Sequence, residues 1–60
     1  MKFTTEQLLH FEAYEQVRES GEYNMFDYRA QLATGLTKDQ HLFVMTNYDA
    51  LKLAFQAAQG

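Results

Sequence analysis

The chain has no cysteine, so it can build neither a thiolate nucleophile nor a disulfide nor a thiolate metal site. Ser20 and the two histidines, His10 and His41, are the remaining conventional members of a nucleophile–base pair. Ser20 closes a helical stretch, where serine is ordinary, and no spacing sets it beside either histidine. We therefore expect no catalytic residues and no enzyme activity. Glu6 and His10 are four residues apart, so on a helix they share one face and could both point at a metal ion, with His41 as a third ligand. A metal site needs three or four ligands in defined geometry. Two histidines with generic carboxylates fall short of that, and the expectation is no metal and no cofactor. No glycine-rich phosphate loop occurs.

Nucleic-acid chemistry has a fuller outline. Arg29 to Lys38 reads as a short helix, a turn at Gly35, a capping Thr37 and the start of a longer helix. In a helix-turn-helix the second helix enters the major groove and its first residues touch bases. Those residues here are Thr37, Lys38, Gln40 and His41; all can hydrogen-bond, and Gln can pair with adenine. Against this stand a net charge of −3, Asp39 in the middle of the set, and only four cations besides Lys2: Arg18, Arg29, Lys38 and Lys52. Phosphate binding is driven by basic surface. A DNA-binding regulator is therefore the alternative, not the leading reading.

The elements that would position these residues are helical. Thr4 with Gln7, and Thr37 with Gln40, are capping boxes, in which each side chain satisfies a backbone donor at a helix start. Asn24 reads as the N-cap of a helix between them, with Asp27 at its third position. The pattern predicts helix 1 over about Thr5 to Glu19, helix 2 over about Met25 to Thr34, and helix 3 from Lys38 to about Ala58. Gly21 and Gly35 follow helical patterns, where left-handed C-cap residues belong. Met25 and Phe26 are assigned to the core, and Tyr23 and Tyr28 to partly exposed positions. Thr46-Asn47-Tyr48-Asp49 is a candidate break, but the favoured reading is one continuous helix 3, about 31 Å long at ~1.5 Å per residue. Residues 1–60 thus read as a single all-α domain: a small three-helix, helix-turn-helix-like fold with a long C-terminal helix.

Composition agrees with a folded chain. Hydrophobic residues make up 47% and aromatic residues 15%, and there is no proline. No apolar run approaches the roughly 20 residues of a membrane span, and Met1-Lys2-Phe3 runs straight into polar residues, so neither a membrane segment nor a signal peptide is expected. The expected location is the cytoplasm. Sixty residues, however, make a core that supplies roughly 3–5 kcal/mol at most, and such domains often lean on a partner. Leu8 and Phe11 lie off the main apolar stripe of helix 1. Leu51, Leu53 and Phe55 would overhang the shorter helix 1 on a continuous helix 3. These five are the candidate partner contacts. The function they suggest is a helical interaction protein that binds itself, as a homodimer, or a host protein.

Four short motifs add a resemblance. Val17-Arg18-Glu19-Ser20-Gly21, Asn24-Met25-Phe26-Asp27, Thr34-Gly35-Leu36 and Val44-Met45-Thr46-Asn47-Tyr48 occur in that order. Over about residues 14–51 this succession resembles short, mostly uncharacterised bacteriophage-encoded proteins. The resemblance implies a viral origin and action inside an infected bacterium, and it carries no catalytic or binding residue across.

The turn reading of Gly35 is testable. If Gly35 takes a positive φ, Gly35→Val strains the backbone by about 1–2 kcal/mol. Its melting temperature should then fall well below that of Gln59→Ala, and equal melting temperatures would show that Gly35 is not a left-handed residue.

Overall fold

Thr4 lies in extended backbone (φ −74°, ψ 160°), and its hydroxyl accepts the Gln7 amide at 3.0 Å. The Gln7 side chain accepts the Thr4 amide at 2.9 Å in return. This reciprocal pair starts α1, Thr5–Ser20. In the computed structural model, which describes residues 3–59, three more helices follow: α2, Tyr28–Thr34; α3, Lys38–Thr46; and α4, Tyr48–Gln59. The described residues contain no strand, so the domain is all-α as its caps predict. Met1 and Lys2, where the absence of a signal peptide was read, lie outside the described residues.

The turn between α2 and α3 follows the sequence pattern closely. Gly35 takes φ 75°, and its amide donates to the Leu32 carbonyl at 3.2 Å. A Cβ there would meet nothing within 4 Å, so the need for glycine comes from backbone conformation alone. Thr37 and Gln40 then form the second capping box and open α3.

Two elements differ from expectation. Helix 2 begins three residues later than predicted, because Asp27 rather than Asn24 is its N-cap. Asp27 is extended (φ −81°, ψ 141°), and its carboxylate accepts the Arg29 amide at 2.8 Å. The second difference is larger. The long helix 3 is two helices, so the bundle has four members. Asn47 takes φ −110° and ψ 22°, and both its amide and its side-chain Nδ2 donate to the Phe43 carbonyl, at 3.0 and 2.9 Å. An Asn side chain that occupies a backbone acceptor competes with continued helix. The Asn47 carbonyl at once accepts the Leu51 amide at 2.9 Å, so α4 starts without an intervening loop but along a new path.

That path returns the chain to α1. Phe11, Tyr14, Leu36, Val44 and Leu51 form the core cluster, with one or more residues from α1, α3, α4 and the α2–α3 turn. Phe55 and Tyr48 place their rings 5.4 and 5.6 Å from that of Phe11. Ala30 is fully buried, its small side chain letting α2 approach closely. Burying side chains such as Phe11 and Leu51 gives about 1.5–3 kcal/mol each, and both depend on α4 lying against α1.

A polar clamp closes the same seam. The Tyr48 hydroxyl donates to Glu15 Oε2 at 2.6 Å, Arg18 Nε donates to Glu15 Oε1, and the Arg18 guanidinium lies 5.6 Å from the centre of the Tyr48 ring. Burial alone would raise the Glu15 pKa, but the hydrogen bonds from Arg18 and Tyr48 together with nearby positive charge outweigh it and hold Glu15 below the usual carboxylate range. A depressed carboxylate pKa stabilises the fold fully above the unfolded-state value and loses that contribution as pH falls through the folded-state value. Tyr48→Phe should therefore cost about 1–2 kcal/mol at neutral pH. The difference from the parent should shrink below about pH 4, where Glu15 takes up its proton in the unfolded chain. Denaturant midpoints of both proteins at neutral and acid pH measure this, and a cost unchanged with pH would show that the Glu15 charge is not involved.

Candidate interaction groove

The connector between α1 and α2 is short and tied at several points. The Asn24 side chain accepts the Phe26 amide at 2.9 Å, and the Asn24 carbonyl accepts the Asp27 amide at 2.8 Å. The Asp27 carboxylate also pairs with the Arg29 guanidinium at 3.2 Å, and hydrogen bonds from Arg29 hold its carboxyl below the ordinary range. From the other side, His41 Nε2 lies 2.9 Å from the Met25 carbonyl. A carbonyl can only accept, so Nε2 carries the proton. His41 is buried, its ring 5.2 Å from that of Tyr14, and its Nδ1 has no partner. These ties fix the alternation of the connector: Met25 packs against the core while Phe26 faces outward, 87% exposed. Phe26 is thus not the core residue that its apolar character suggested.

Between this connector, α2 and α3 lies an open groove of about 810 Å³. Met25, Phe26, Tyr28, His41, Leu42 and Met45 give it apolar and aromatic walls, with Asp27, Gln31, Lys38 and Thr46 at its polar positions. Tyr28 is 67% exposed and Leu42 47%. Leu32, also exposed, stands one helical turn from Tyr28 on the same face of α2. An aromatic side chain carries roughly 150–250 Å². Phe26 and Tyr28 together therefore offer on the order of 300 Å² of surface, before Leu32, Leu42 and the methionines are added. Monomeric proteins rarely expose a contiguous apolar patch beyond about 300–600 Å², and patches of that size are often functional. No residue of α1 lines the groove.

The partner contacts read from the sequence fall elsewhere. Phe11 and Leu51 are core residues, and Leu8 and Phe55 pack half-buried against the core. Only Leu53 stands free, 69% exposed on α4. The expected overhang does not exist, because the break at Asn47 folds Leu51 and Phe55 onto α1. The DNA-contact set is also dispersed. Thr37 and Gln40 bind each other's backbone in the capping box, and His41 is buried on the Met25 carbonyl, which leaves Lys38 alone with an unengaged, exposed side chain. The exposed side of α3 carries Lys38, Asp39, Leu42 and Thr46, one cation beside one anion. Glu6 and His10 approach to 3.8 Å, but His41 is bound to the connector. Among the described residues no group of three His, Cys, Asp or Glu side chains is placed to hold a metal ion. The groove went unread because α2 is too short for its exposed stripe to stand out from a buried one. The usable signal was local: Asn24 and Asp27 bracket Phe26 with two turn-forming side chains.

No protein-family model matches the chain, and no curated protein or solved structure is similar enough to it to count as a match.

With its candidate base contacts engaged, the chain should not shift duplex DNA at physiological salt. A sequence-preferring gel shift at nanomolar protein, abolished by Lys38→Glu and weakened steeply by salt, would reverse that reading.

Proposed function

We propose that this chain is a protein-interaction module that docks a protein, a second copy or another chain, in the groove between α2 and α3. The observation that carries the reading is Phe26, an aromatic side chain 87% exposed on a connector held by Asn24 and His41. Holding a large apolar side chain in water is unfavourable by about as much as its burial would gain, roughly 1.5–3 kcal/mol. Contact with a partner recovers that, and aromatic residues are enriched in such contacts. The geometry favours binding over catalysis: Ser20 is bonded to the Val17 carbonyl and the Glu22 amide of its own turn, and His41 holds the connector. The resemblance to bacteriophage-encoded proteins supports action in the cytoplasm of an infected bacterium, with a second copy or a host protein as partner. Among the described residues, no helix is long and apolar enough to cross a membrane.

A photoreactive phenylalanine analogue at position 26, in protein expressed in the bacterium, should form a discrete covalent adduct. The same probe at Gln56, exposed on α4 outside the groove, should not. Phe26→Ser should keep stability within about 0.5 kcal/mol of the parent while weakening that association. Equal adducts at both positions, or none at position 26, would remove the groove from the account of function.

A further inference from the structure

We propose that the occupant of the groove is a second copy of this chain, in a two-fold dimer where each Phe26 seats in the groove of the other. The inference rests on the groove being a docking site and names its partner.

Three observations favour a second copy. The first is shape. Phe26 borders the groove and also projects from it, so one face carries a knob and a hole side by side. A two-fold axis brings the same patch of both chains together, and such a patch must complement itself. A knob beside its own hole meets that condition, whereas a groove that takes a foreign helix needs no knob.

The second is charge. The chain carries −3 overall, but the two charged residues that line the groove balance: Asp27 against Lys38. The acids that produce the imbalance lie mostly on α1 and just after it: Glu6, Glu12, Glu15, Glu19 and Glu22, with Arg18 as the one opposing cation there. Two copies meeting through α1 would press like charges together. Through the groove face they meet with no net charge, and Lys38 of one chain can face an aspartate of the other. A strongly basic or strongly acidic partner would find no matching field on this face.

The third is area. Phe26, Tyr28, Leu32 and Leu42 supply about half of the roughly 800 Å² that a stable interface takes from each partner, and the balanced polar rim supplies a surround of the usual kind.

Sedimentation equilibrium over a dilution series tests this directly. The parent should move from 7.0 kDa toward twice that mass as concentration rises. Phe26→Ser should raise the dimer dissociation constant about a hundredfold or more, because symmetry removes the side chain twice. Its far-ultraviolet spectrum should be unchanged. Leu53→Ser, at another exposed apolar position but outside the groove, should leave the constant unchanged. Irradiating a mixture of ordinary and ¹⁵N-labelled chains with the photoreactive residue at position 26 should give mixed-isotope cross-links into residues 38–46. A parent that stays at 7.0 kDa throughout, or a dimer weakened by Leu53→Ser and not by Phe26→Ser, overturns the second copy as occupant. If the position 26 probe in that monomer captures a different protein in the bacterium, the docking reading stands without self-association. If it captures nothing, both fall.

Discussion

Everything in this fold depends on the chain bending at Asn47. The bend is made by a side chain that takes the Phe43 carbonyl and a backbone that leaves helical angles for one residue. It lets α4 lie along α1, and only then can Leu51 be fully buried and Phe55 reach Phe11. The clamp of Glu15, Arg18 and Tyr48 belongs to the same event, since Tyr48 is the first residue after the bend. A sixty-residue chain has few core positions to lose. Moving Leu51 into the interior and Phe55 against it, rather than onto an overhang, changes where its remaining apolar surface can be.

That remaining surface is concentrated around the α1–α2 connector, and the connector is held by a histidine. His41 is a core residue by burial and a structural hydrogen-bond donor by chemistry. Its bond to the Met25 carbonyl sets which of two adjacent apolar residues faces inward. Met25 fills the irregular space below, a role suited to an unbranched, adaptable side chain, and Phe26 is left in solvent. The unpaired Nδ1 is the polar cost of that arrangement.

Much of the fold could be read from the chain because its start and stop signals are local. The capping boxes at Thr4 and Thr37, and the left-handed glycines at 21 and 35, are short-range hydrogen-bond and φ constraints visible in a few residues. The bend was visible only as a possibility, because Asn47 interrupts a pattern whose apolar spacing would also suit one long helix. What decides it is the gain from packing α4 on α1, a contact between residues more than thirty positions apart. The binding surface was misplaced for the same reason. Leu8, Phe11, Leu51 and Phe55 are exposed on an unbent chain and covered on the real one, whereas Phe26 reads as core until the connector is closed around it. His41 was singled out for ligand chemistry and serves instead as a fixed strut.

The uneven placement of charge gives the molecule an electrical polarity. Five glutamates lie on α1 and the residues after it, while the groove face is close to neutral. In solution such a molecule has a preferred orientation toward anything charged that it meets. Near a polyanion it turns α1 away and presents α2 and α3. Among nucleic acids, that bias keeps the apolar face accessible without letting it stick, because Lys38 at its edge is balanced by Asp27. The glutamates of α1 thus act at a distance, as a rudder for a surface that they do not touch.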